Sequence, residues 1–307
     1  MAGTDIVSWA WIPIVIWAAF AQTIRNAAQR SLVNEMGTLG ATLVRFLYGL
    51  PFAGVWLWLV LAFSSPEARL PALQIHYLLW LTLGATCQLG ATACLLVAMK
   101  QRNFIVGVAF SKTEVLQVGI FATLILQEIP SWMSGLAMVL ATGGVILLSL
   151  PRRLDGKVLQ GSSSAAWFGL ASGTLFALSG VGYRGAALEL TGHSAWMIGG
   201  FNVLLAQLMQ SVLLGAWLAW RQPEALAAIA KAWKLSLLAG MMGALASIAW
   251  LTALALRPVV DVRTVGLIEV LFSYLVSRRL FREKITRNEL LGLLLVGAGV
   301  LVVSAQF

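Results

Sequence analysis

Glu114 and Glu269 are carboxylates set near the middle of apolar stretches of membrane length, and their surroundings recur at an interval of about 155 positions. A charge at the centre of a bilayer costs about 2.5 to 3.5 kcal/mol on insertion scales, so a carboxylate there is a functional hypothesis by default. Two roles fit the pair. Lining a cavity, they would receive a substrate ammonium or carry a proton; packed between helices, they would hydrogen-bond their neighbours and hold two copies of a repeat together.

Other side chains with chemistry stand at comparable depth. Lys112 is two residues from Glu114, so on one regular helix the two point to different sides and do not pair. Lys112 then needs another partner, a substrate carboxylate, or an interfacial position to snorkel to. Arg45 and Tyr48 share a helical face at i and i+3, with Arg45 about ten Å inside the start of its span, where a carboxylate or an anionic substrate group would suit it. Trp17 and Trp250 are the deep tryptophans, fit either for stacking on an apolar substrate or for helix packing. Nine more, Trp9, Trp11, Trp56, Trp58, Trp132, Trp196, Trp217, Trp220 and Trp233, lie near span ends, as aromatic belts do. Gln88, Tyr183, Ser179 and Asn202 add uncharged polar groups that should face protein or cavity rather than lipid. Arg25 and Arg184 occupy matching positions in Arg25-Asn26-Ala27-Ala28 and Arg184-Gly185-Ala186-Ala187, near span ends, and are expected to be anchors.

Other chemistries lack their residues. His76 and His193 are the only histidines and sit near span ends, so no metal site is expected. Glycine motifs lie inside apolar stretches rather than in a phosphate-cradling loop, and no paired nucleophile and base can be assembled, so neither ATP-driven transport nor an enzyme is expected, and no cofactor. Cys87 and Cys94, seven residues apart on one helix, are about 10 Å from each other, too far for a disulfide.

The elements that must position these residues are transmembrane helices. Of 307 residues 60% are hydrophobic and 11% charged, with a mean hydropathy of +0.87, which a soluble protein of this length would not show. The net charge of +9 is explained by basic loops rather than by a nucleic-acid partner. Ten apolar spans are predicted, near Val7 to Arg25, Leu39 to Phe63, Ile75 to Met99, Phe104 to Leu126, Trp132 to Leu150, Ala165 to Leu188, Ala195 to Trp220, Trp233 to Leu256, Val259 to Leu280 and Glu289 to Phe307. Without a basic leader or an Ala-x-Ala site, the first span is expected to be retained. Gln127 to Ser131 and Arg257 to Pro258 are tight turns between antiparallel helices, while Pro151 to Ser164 reads as a flexible linker. Small residues such as Gly84, Gly90 and Ala91, or Gly240, Gly243, Ala244 and Ser247, allow close helix approach.

The spans form two sets. Glu114-Val115-Leu116 falls on Glu269-Val270-Leu271, Glu128 on Glu283, and Gly144-Val145 on Gly299-Val300, in one register without gaps. The chain is therefore read as a first repeat over 1–150, a linker over 151–164 and a second repeat over 165–307. Five is odd, so the copies must cross the membrane in opposite senses, the inverted repeat common among secondary transporters. Fifteen Lys and Arg residues lie in the odd-numbered connections and three, Arg69, Arg257 and Arg263, in the others. The positive-inside rule then puts the odd connections in the cytoplasm of a bacterial inner membrane and both termini in the periplasm.

Thr113-Glu114-Val115 through Gln127-Glu128, then Gly135 and Gly143-Gly144-Val145, resembles the EamA family of the drug/metabolite transporter superfamily. Ile268-Glu269-Val270 through Arg282-Glu283-Lys284-Ile285-Thr286 and Gly297 to Val300 resembles it more closely. Val115 and Val270 stand where the family has a proline, and Gln127 and Arg282 where it has a turn glycine, so the sequence specifies no proline kink. Within the family, the tryptophan-rich spans are similar to the YddG-type aromatic amino-acid exporters. The resemblance implies a monomeric, all-α carrier in the lipid bilayer, exporting aromatic and other neutral amino acids by alternating access through a midplane cavity. A proton-coupled exporter of hydrophobic cations, using Glu114 or Glu269 as the exchanged site, is the alternative.

Overall fold

The structure is a computed structural model that describes residues 9–64, 69–101, 111–149, 153–154, 157–158, 163–279 and 287–306. Among the described residues, five helical stretches are long and apolar enough to cross a membrane: Trp11–Ala62, Ile75–Gln101, Ser164–Glu189, Ala195–Arg221 and Trp233–Leu256. Shorter apolar helices lie at Glu114–Leu126, Trp132–Gly144 and Leu290–Ser304. The start of the expected fourth span, most of the linker, and the turn holding Arg282, Glu283 and Lys284 lie outside the described residues.

In chain order the helices are α1 (Trp11–Leu47), α2 (Leu50–Ala62), α3 (Ile75–Gln101), α4 (Glu114–Phe121, continued by a π-helical turn over Ala122–Leu126) and α5 (Trp132–Ser149). After a two-residue antiparallel ladder pairing Arg153 with Val158 come α6 (Ser163–Glu189), α7 (Ala195–Arg221), the short α8 (Pro223–Lys231), α9 (Trp233–Leu256), α10 (Val259–Val265), α11 (Glu269–Arg279) and α12 (Arg287–Ser304).

The first two expected spans are joined differently from the sequence reading. Helix α1 runs on past Arg25 and breaks only at Gly37, whose φ of 74° and ψ of 173° suit a residue without Cβ. The Gln29 amide donates to the Ala41 carbonyl at 2.7 Å and so bridges the break. Helix rise places Arg25 about 21 Å from Trp11 and about 16 Å from Met36, in the middle of its helix rather than at an end.

Packing follows small residues. Helices α3 and α6 meet at Gly84 and Gly182, where a Cβ on Gly182 would stand 2.6 Å from the Gly84 nitrogen. Helix α9 packs along α1, and α5 along α12, where a Cβ on Gly299 would be 2.8 Å from the Ala137 carbonyl oxygen. In lipid such contact replaces the hydrophobic drive as the reason for helices to associate. The outer surface carries Trp58, Leu79, Leu124, Leu294 and Leu301, all strongly exposed, while Arg25, Arg45, Lys112, Glu114, Arg263 and Glu269 are buried. That distribution inverts the pattern of a soluble domain and fits a hydrocarbon solvent.

Candidate functional site

Polar side chains on α1 recur at Gln22, Arg25, Asn26 and Gln29, the i, i+3, i+4, i+7 spacing of one helical face, and all four are buried. Opposite them the carboxylate of Glu269, first residue of α11, collects three donors. Gln22 Nε2 donates to Oε2 at 2.6 Å, Asn26 Nδ2 to Oε1 at 2.9 Å, and Lys112 Nζ lies 2.5 Å from Oε2. Asn26 Oδ1 in turn accepts from Arg25 Nη2 at 2.6 Å and Nε at 3.2 Å, so Arg25 is linked to Glu269 through one amide. Gln22 Oε1 accepts from Trp250 Nε1 at 3.0 Å, and the Arg263 guanidinium sits 5.0 Å from the centre of the Trp250 ring.

Glu114 is held more loosely. Its Oε1 is 3.6 Å from Lys112 Nζ and 3.7 Å from Arg263 Nη1. Lys112 thus bridges both glutamates, and each glutamate has a cation from a distant chain region: Lys112 beside α4 reaches Glu269, while Arg263 on α10 reaches Glu114.

The Lys112–Glu114 contact corrects the expectation that residues two apart cannot meet, and the backbone supplies the reason. Lys112 and Thr113 form a turn in which the Val115 amide donates to the Lys112 carbonyl at 3.3 Å, a 3₁₀-type spacing. Such a turn rotates about 120° per residue instead of about 100°, which brings residues two apart round toward one side. A 3₁₀ turn at Gly266–Ile268 stands just before Glu269 as well, so each glutamate follows a tightened turn with no proline needed.

Arg25 and Arg263 are corrected too. Arg25 is neither near a span end nor an anchor but fully buried, and Arg263 belongs to the interior rather than to a connecting loop. Arg184 is no free anchor either. Its Nε is 2.7 Å from Glu128 Oε1, its Nη1 donates to the Leu254 carbonyl, and Glu128 Oε2 accepts from the Val259 amide at the start of α10.

The remaining candidates divide by location. Arg45 donates through Nη1 to Thr92 Oγ1 at 2.8 Å and through Nη2 to Ser247 Oγ at 3.4 Å. Arg45 and Arg25 converge on Gly243 of α9, where an added Cβ would meet Arg45 Cγ at 3.1 Å and Arg25 Cδ at 3.3 Å. Tyr183 donates to Gln88 Oε1 at 2.8 Å, and Gln210 Nε2 donates to that same oxygen at 2.9 Å. Asn202 accepts from Tyr77 at 2.8 Å, in a separate polar pair beside the stacked Phe201. Tyr48 turns away from Arg45 to the Ile229 carbonyl of α8 at 3.4 Å. Trp17 is 45% exposed, against 4% for Trp250, and lines a groove of about 320 Å³ with Trp56 and Trp196 instead of joining the buried network. Sequence reasoning missed Gln22, Asn26, Thr92 and Gln210; the polar stripe on α1 at helical period was the signal for the first two.

Residues 163–305 match the EamA-like transporter family, a stretch that takes in Arg263, Glu269 and Trp250. The match reaches the family and not the YddG-type subgroup. No curated protein matches the chain. One solved protein crystal structure superposes with a TM-score of 0.67 over 97% of this chain and 97% of its own length at 15% identity, a likeness of fold alone. The apolar helices are those of a polytopic membrane protein, and the family matched over residues 163–305 is one of transporters.

Proposed function

We propose that this chain is a secondary transporter of EamA type over its whole length, moving small metabolites by alternating access between two inverted five-helix repeats. The carrying observation is the ion network in which Lys112 pairs with Glu269 and Arg263 with Glu114, so that each half of the chain supplies a cation to the other half's carboxylate. Buried charges joined across two bodies are the groups that a substrate or proton would have to rearrange as those bodies rock.

Exchange of helix partners supports the repeat. Helix α3 packs on α6 as α9 packs on α1; α4 packs on α6 as α11 packs on α1; and α5 pairs with α12. In terms of two five-span units over 1–150 and 165–307, joined by 151–164, each first member meets the third and fourth of the other unit. With Arg25 and Arg263 moved to the interior, the basic bias of the odd connections sharpens, which favours an inner-membrane protein with both termini periplasmic. The sequence resemblance nominates aromatic and other neutral amino acids as cargo and a monomer as the working unit. The rival cation exporter needs a glutamate available to a cationic substrate, and both glutamates already face protein cations.

The test is efflux of labelled tryptophan, phenylalanine, methionine and threonine from liposomes carrying the purified protein, with and without a pH gradient. Saturable flux of at least one small solute, abolished by Glu269→Gln, is expected. Absence of flux for these and every other small solute tried, from protein that is folded and inserted, would leave a packing scaffold and overturn the transporter reading.

A further inference from the structure

The buried centre holds four cationic side chains, Arg25, Arg45, Lys112 and Arg263, against two carboxylates, Glu114 and Glu269, among the described residues. The partly buried carboxylates on adjoining elements are engaged elsewhere: Glu128 by Arg184, and Asp261 by the hydroxyl of Ser134 at 2.7 Å. Lys112 and Arg263 have their ion pairs, but among the described residues neither Arg25 nor Arg45 has a carboxylate within 4 Å. The two side chains meet at Gly243 of α9 through Arg45 Cγ and Arg25 Cδ, and their fully buried guanidiniums have, among the described residues, neutral partners in Asn26, Thr92 and Ser247. Among the described residues, Arg25 Nη1 and Arg45 Nε, both shut off from solvent, have no acceptor, and neither does Arg263 Nε.

Like charges side by side in a low-dielectric interior repel, and a buried N–H without an acceptor keeps its full desolvation penalty. Both costs are removed by a single oxyanion placed between the two forks, because a planar carboxylate or a phosphate presents the paired acceptors that guanidinium donors match. Glycine at 243 lets both arginine stems lie against α9, since any side chain there would press on both.

We propose that Arg25 and Arg45, with Thr92 and Ser247, form an oxyanion subsite, and that the transported species is a small organic acid of net negative charge. Resting on the transporter reading, this departs from the neutral amino-acid class: a zwitterion brings its own cation and leaves the surplus of two positive charges in place. A dicarboxylate or a phosphate monoester offsets it.

Thermal unfolding of the purified full-length protein in detergent, at constant ionic strength, would be followed against succinate, glycerol 3-phosphate, tryptophan, threonine and sodium chloride. Saturable stabilisation by succinate or glycerol 3-phosphate is expected, the stronger of the two identifying a carboxylate or a phosphate as the preferred group. Arg45→Gln and Arg25→Gln should each weaken it at least tenfold, and Thr92→Val severalfold. Should the arginine variants not fold, counterflow of labelled succinate in wild-type liposomes, competed by the same solutes, gives the ranking without them. Stabilisation and flux confined to tryptophan and threonine, equal protection by chloride, or unchanged affinity in folded arginine variants would each overturn the subsite. Acid binding without flux of any solute would leave the subsite standing and sink the transporter reading instead.

Discussion

Glu114 and Glu269 occupy equivalent places in the sequence yet live in different surroundings. Glu269 is saturated by Gln22, Asn26 and Lys112 at 2.5 to 2.9 Å, whereas Glu114 has only two cations at 3.6 and 3.7 Å. Moved by the interval that relates the glutamates, Lys112 falls on Leu267; aligned through Arg25 and Arg184, Gln22 and Asn26 fall on Val181 and Gly185. In the proposed repeat the carboxylates correspond and their partners differ, one site a tight junction and the other loosely bound. In the proposed cycle Glu114 is the group free to change partners.

Removing the tighter carboxylate should do the greater harm. Glu269→Gln takes from the buried Lys112 ammonium its closest carboxylate and leaves it only Glu114 at 3.6 Å, at a cost of about 3–5 kcal/mol, read as a large drop in thermal stability in detergent together with lost flux. Adding Lys112→Met should recover much of that stability but no transport; a double variant as unstable as the single one would show that the pair is not the junction described. Gly266→Ser gives the second copy the residue found at Ser111 in the first. The Trp250 ring lies against Gly266 with no room for a Cβ, so overpacking of about 1–3 kcal/mol is expected, with weakened flux as Trp250 draws away from Gln22. Glu114→Gln should cost less, about 1–2 kcal/mol, since Lys112 keeps Glu269 and Arg263 keeps the Trp250 ring. If it destabilises as much as Glu269→Gln, the contrast between the two sites fails. The smallest effect belongs to the turn after the first copy. Gln127 stands there at φ 57°, in the left-handed region, so Gln127→Gly should gain up to about 1 kcal/mol in stability and leave flux unchanged.

That last position shows how far the sequence could be read. Gln127 was recognised as standing where a glycine is usual, and the backbone there has the conformation that favours one. The membrane class and the close approach at Gly84 were legible because each depends on local hydrophobicity or residue size. The candidate site was legible in part. Glu114, Glu269, Lys112, Arg45 and Trp250 do lie in the buried centre, while Trp17 faces an outer groove and Tyr48 faces α8. Arg25 was misjudged because the first span appeared to end there; the break comes at Gly37, and apolar length alone does not reveal where a glycine adopts positive φ.

The sequence by itself determined a membrane-embedded, helical chain with a recurring glutamate, because hydrophobic spacing and the cost of a charge in hydrocarbon act residue by residue. Only the tertiary structure decided which cation meets which carboxylate, and that Arg25 and Arg45 have none among the described residues. Lys112 reaches Glu269 across a long stretch of chain, and helix spacing says nothing about such a contact until the two halves are packed together.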